Sequence, residues 1–174
     1  MLEALAAALL VGVINTLADY ISVELKLQSK PIYLFARIAL TCYCVGGIVG
    51  ARARQLMMGT MGGLMIGAFV AAAYYLLAPS WESPALVVAW LAFWVGFSLL
   101  EALLQETGTV GGLLQGVAAA ALSAVFFYAI SNVWAAPESR DPDIWRELVR
   151  WSATFSPGFV ILFWRRPRGL TTSG

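Results

Sequence analysis

Long apolar runs separated by short polar turns dominate the chain, and few folds accept that pattern. A membrane-crossing helix needs about 20 mostly apolar residues. Six stretches come close to or exceed that length: 5–23, 33–50, 56–77, 84–104, 110–134 and 148–164. The connections are short, so consecutive helices are expected to be antiparallel neighbours. Charged residues make up 12% of the chain, against about 25% in soluble domains. The expected fold is all-α and integral to a membrane, with six transmembrane helices. They form one domain over residues 1–168, followed by a loose tail over 169–174. Glu3 precedes the first run where a signal peptide would carry basic residues, so that run is expected to stay as a span. A net charge of +1 argues against a nucleic-acid partner.

Polar residues inside apolar runs carry most of the remaining information. Asn15, Thr16 and Asp19 lie in the second half of the first run, and Arg37 lies one to two turns into the second. Counted from the turn around Lys26 and Lys30, Asp19 and Arg37 have similar depth. They are expected to pair across the hairpin, the alternative being that each snorkels alone to the surface. Cys42 and Cys44 are two apart, roughly 200° round a helix, and read as small packing residues.

Glycines recur at helical spacing. Gly46, Gly47 and Gly50 mark the second run, and Gly59, Gly63, Gly67 and Ala71 mark the third. Such a face admits another helix closely, within the chain or as a homo-oligomer or membrane-protein seam. Tyr74, Tyr75 and Trp81 suit the membrane interface. Trp90, Phe93, Trp94 and Phe97 form a packing or lipid-facing stripe, with ligand stacking as the functional alternative. Gly108, Gly112, Gly116 and Ala120 repeat the small-residue spacing beside Gln115, for a neighbouring helix or a ligand groove. Asp141 or Asp143 is expected to cap the last helix, and Arg146, Glu147 and Arg150 give it an amphipathic entry. Within it, Pro157 removes a hydrogen bond and frees the Ala153 carbonyl, which predicts a kink or local unwinding beside an internal cavity.

The sequence has no His, which excludes a Ser-His-Asp triad and leaves no credible zinc site. Glu101 and Glu106, five apart, point to different helix faces, and the glycine run lacks the Lys-Ser/Thr of a P-loop. Binding is therefore expected rather than catalysis, with no metal and no cofactor. Arg52, Arg54, Arg165, Arg166 and Arg168 lie on the N-terminal side. Lys26, Lys30 and Arg140 lie on the other, once Arg37, Arg146 and Arg150 at helix entries are set aside. The positive-inside rule then places both termini in the cytoplasm.

The stretch Glu106-Thr-Gly-Thr-Val-Gly111-Gly112-Leu-Leu-Gln-Gly116 resembles the junction before the fifth helix of the insulin-induced gene (Insig) family. Continued without a gap, the family's Asn near the end of that helix falls on Asn132. Its Phe-Ser-Gly-Gly-x-Val falls on Phe155-Ser156-Pro157-Gly158-Phe159-Val160, and its following basic residue on Arg165 or Arg166. The likeness covers roughly residues 90–168. It departs at Glu106, an Asp in the family, at Thr107 and Thr109 in place of arginines, and at Pro157 in place of Gly.

The resemblance implies six helices around a lipid-accessible cavity, the sixth altered by Pro157, with both termini cytoplasmic. It implies that a small-head-group amphiphile, diacylglycerol or sterol-like, is held near Gly112, Gln115, Gly116, Phe127, Phe155, Ser156 and Pro157. Glu106, Asn132, Asp19 and Arg37 are the junction residues. The Ala- and Arg-rich chain looks bacterial, which implies an inner membrane; the eukaryotic family resides in the endoplasmic reticulum. Two alternatives are a vitamin-transporter binding component, using an Ala4–Ala8 seam on the first helix, and a structural subunit assembled through Gly59, Gly63 and Gly67.

Overall fold

The computed structural model describes residues 1–27, 31–81, 83–134 and 143–164; the side chains of 83–84 and 131–134 fall outside that description. Regular structure among these residues is entirely helical: α1 Leu2–Glu24, α2 Pro31–Arg52, α3 Leu56–Trp81, α4 Ser83–Leu104, α5 Thr109–Trp134 and α6 Ile144–Leu162. Five of them, α1, α2, α3, Ala85–Leu104 of α4 and Thr109–Ile130 of α5, are long and apolar enough to cross a membrane. The protein thus has the build of an integral membrane protein. The sixth, α6, is not among those five, and carries Arg146, Glu147 and Arg150 in its first two turns.

From α2 onward consecutive helices pack as neighbours, as expected, and α1 is the exception. The strongest partnerships are α2 with α3, α1 with α6 and α4 with α5. Contacts of α3 with α4 and α5 with α6 complete the ring, and α1 meets α2 only slightly. So the first hairpin, expected to form a close pair, is instead opened out, and α1 takes α6 as its main neighbour.

Close approach is arranged by glycines. A Cβ on Gly59 would lie 2.4 Å from the Gly46 carbonyl oxygen, and one on Gly63 would lie 2.3 Å from that of Cys42. The Gly59–Gly63–Gly67 face is therefore filled by α2 of the same chain. On α5, a Cβ on Gly116 would lie 2.6 Å from the Val95 Cα, and one on Gly112 3.1 Å from the Ser98 carbonyl oxygen, so that face seats α4.

Aromatic rings fill the space between α4 and α6. Trp90 meets Phe155 with centroids 5.2 Å apart, Trp94 meets Phe159 at 5.4 Å, and Phe93 meets Phe97 at 4.8 Å. Trp94, Phe97 and Phe159 are fully buried, so the α4 stripe is core. Gly158 provides the seat: a Cβ there would fall 2.1 Å from the Trp94 ring. Helix α6 is continuous through Pro157, without the local unwinding expected there. Immediately before Pro157, the Ser156 hydroxyl donates to the carbonyl of Ser152, one turn earlier, at 2.7 Å. Asp143 caps α6, accepting from the backbone N–H of Trp145 at 3.0 Å; Asp141 lies outside the described residues.

Three helices end in the same way. Lys26, Arg54 and Glu106 adopt φ of 52°, 58° and 53° after α1, α2 and α4. Each N–H bonds back to a carbonyl three residues earlier, and the next N–H to one five earlier: Leu27 to Ser22, Gln55 to Gly50 and Thr107 to Ala102. These are Schellman endings, in which glycine is the usual left-handed residue.

Candidate functional site

An open cavity of about 210 Å³ lies among α1, α2, α3, α4 and α6, which wall it. Most of the wall is apolar, including Ile38, Cys42, Val70, Leu86, Phe93 and Phe155. Polarity collects at Asn15, Arg37, Thr41, Trp90 and Trp151.

Arg37 is held from two sides. It forms an ion pair with Asp19, and its Nε and Nη2 both donate to the Asn15 side-chain oxygen at 3.2 Å. Asn15 is itself fixed, its amide donating to the Val11 carbonyl at 3.0 Å. Asp19 accepts a second bond from Trp151 Nε1 at 2.6 Å and lies 3.6 Å from Arg150. Both guanidinium groups, of Arg37 and Arg150, stand 5.0 Å from the Trp151 ring centre. Arg150 also pairs with Glu147 at 2.5 Å. Two carboxylates thus face two guanidinium groups where α1, α2 and α6 meet. The side chains of Arg37 and Asp19 are only 15% and 21% exposed, so neither snorkels freely.

The other residues singled out by sequence are dispersed. Phe155 lines the cavity; Gly112, Gln115, Gly116, Phe127, Ser156 and Pro157 do not. Gln115 instead reaches the end of α6, donating to the carbonyls of Ile161 at 2.6 Å and Leu162 at 2.8 Å. Phe127 stacks beside the site, with centroids 5.9 Å from Trp90 and 6.1 Å from Trp151. Glu106 is exposed, and its carboxylate has no partner among the described residues. The Asn132 side chain, Arg165 and Arg166 lie outside the described residues. At the opposite end of the bundle, Arg52 pairs with Glu3, lies 3.7 Å from Glu101 and covers Phe163 at 3.9 Å.

Sequence reasoning missed Asn15, Thr41 and Trp151 as wall residues. Asn15 and Thr41 carried a signal, being uncharged polar residues well inside apolar runs. Trp151 carried none, because a Trp near a helix entry fits a membrane interface equally well. Among the described residues, no three His, Cys, Asp or Glu side chains are grouped to hold a metal.

Comparison with known proteins brings no match: no family model fits the chain, and no curated protein or solved structure is significantly similar to it.

Proposed function

We propose that the protein holds a membrane amphiphile with a small head group, diacylglycerol or sterol-like, in the cavity between α2, α4 and α6. The observation that carries this reading is the composition of the wall: aromatic and aliphatic over most of its area, with one polar cluster fixed at Arg37. Ligand pockets are typically apolar with a few placed polar groups. An acyl chain or ring system suits the apolar part, and the head suits the polar end.

A six-span arrangement supports the reading. Helix α6 has 19 residues, about 28 Å at 1.5 Å per residue. It runs beside α1 from the level of Asp19, which meets Arg150 and Trp151, to that of Arg52, which meets both Glu3 and Phe163. Matched depth with α1 supports reading α6 as a sixth span, which would put both termini on one side, the cytoplasmic one by the positive-inside rule. Pro157 then kinks α6 beside the cavity wall at Phe155. The quoted likeness to the Insig family agrees with a lipid-binding role, in an inner membrane if the source is bacterial.

The alternatives lose their seams. Ala4 and Ala8 are each 1% exposed, and the Gly59–Gly63–Gly67 face is covered by α2, which leaves neither free for a transporter partner or an oligomer. The protein purified in mild detergent should carry a lipid that mass spectrometry of the extract identifies. A lipid-free preparation whose melting temperature is unmoved by diacylglycerol or sterols would overturn the proposal.

A further inference from the structure

The polar groups around the cavity are mismatched in a way that specifies a ligand. An Arg guanidinium has five N–H donors in a fixed plane. Among the described residues, Arg37 uses three of them, two on Asn15 and one on Asp19. The remainder belong to a side chain that lines the cavity. One turn along α2, at the same face, stands Thr41, 6% exposed, with its hydroxyl unpaired. Across from it on α4 is Trp90, 7% exposed, with its indole N–H unpaired. Both are wall residues of the same cavity. A buried donor without a partner is costly, and an indole N–H can only donate.

Resting on the reading of the cavity as a lipid site, we infer that Arg37, Thr41 and Trp90 are its specificity-determining residues. Together they read an uncharged head that offers oxygen acceptors, such as a hydroxyl or an ester carbonyl. The surplus is of donors, so the ligand supplies acceptors. The charge of Arg37 is already balanced by Asp19, so an ionised carboxylate or phosphate would enter as an uncompensated buried charge, which is strongly disfavoured. Thr41 lies four residues along α2 from Arg37, about 6 Å deeper. A head with two oxygens a few bonds apart can therefore engage both levels.

The test uses the full chain in mild detergent and three probes with one chain length: hexadecane, 1-hexadecanol and palmitate at neutral pH. Native mass spectrometry reads their binding. The alcohol is expected to bind about tenfold more tightly than the alkane, as one or two net hydrogen bonds would give, and palmitate more weakly than the alcohol. Thr41→Val keeps size and removes the hydroxyl; Trp90→Phe removes the indole donor and keeps an aromatic ring, though a smaller one. Each should cut the preference for alcohol over alkane several-fold, and a cooperative melting transition with unchanged helical circular dichroism reports that the variant is folded. Equal binding of alcohol and alkane, tighter binding of palmitate, or an unaltered preference in both variants would overturn the inference and leave the cavity reading standing. Failure of all three probes to bind would remove the cavity reading, and this inference with it.

Discussion

Gly46 and Gly47 stand side by side on α2 and are expected to respond in opposite directions to alanine. A Cβ on Gly46 would lie 2.3 Å from the Gly59 carbonyl oxygen and 2.7 Å from the Gly63 Cα. Ordinary contact begins at 3.4 Å, so the shortfall is about 1 Å. The obstructing atoms are backbone of α3, so no side chain can rotate aside and the helix pair must part. Overpacking of this kind costs about 1–3 kcal/mol, and the rigid wall places Gly46→Ala toward the upper end. A Cβ on Gly47 would meet only side-chain atoms at ordinary contact distance, the Thr60 methyl at 3.4 Å and a Leu56 methyl at 4.0 Å. Gly47→Ala should therefore keep the helix-propensity gain, up to about 1 kcal/mol. Gly46→Ala receives the same gain, which leaves a net loss of about 1–2 kcal/mol. At about 2–4 °C per kcal/mol, the two melting temperatures should differ by about 4–12 °C. Thermal unfolding in mild detergent, followed by tryptophan fluorescence, measures the gap. Coinciding melting temperatures, or a lower one for Gly47→Ala, would refute the claim that α2 and α3 meet backbone to backbone.

Three further outcomes follow from the same structure. In a double-mutant cycle of Asp19→Asn and Arg37→Gln, the coupling should be about 1–3 kcal/mol, because both side chains are mostly buried; additive losses would mean that the pair does not form. Gln115→Leu leaves the Ile161 and Leu162 carbonyls without their side-chain donor, a loss of about 1–3 kcal/mol. Its lipid occupancy should stay at the wild-type level, and a drop would return Gln115 to the binding site. Glu106→Gly removes a left-handed non-glycine residue and should stabilise by about 0.5–1 kcal/mol, the relief of about 1–2 kcal/mol being partly offset by unfolded-chain entropy. A lower melting temperature would show that the Glu106 carboxylate itself holds the junction.

Hydrophobic runs of membrane-crossing length, broken by Lys-, Arg- and Pro-containing turns, determine by themselves that the chain is helical and built for a membrane. Element positions were legible because a chain in lipid must satisfy its backbone within each helix, so apolar composition bounds the five long helices, whereas the charged start of α6 hides its first turn. The depth of Asp19 and Arg37 was legible for a related reason, since residues at equal distance from one turn lie at equal height on two antiparallel helices. Neighbour choice was legible from α2 to α6, where short connections make consecutive helices neighbours, and not for α1, which turns to α6. Glycine spacing says that a face admits a close partner and leaves the partner unnamed; only the assembled ring assigns α2 to Gly59 and Gly63, and α4 to Gly112 and Gly116. The opening between α1 and α2, and with it the cavity, arises because α1 turns to α6. That preference comes from Gly12 seating Ser152 and from Asp19 meeting Trp151 and Arg150, contacts between residues more than a hundred positions apart. Local sequence sets what each helix can offer, and the site forms where helices distant in sequence happen to offer it together.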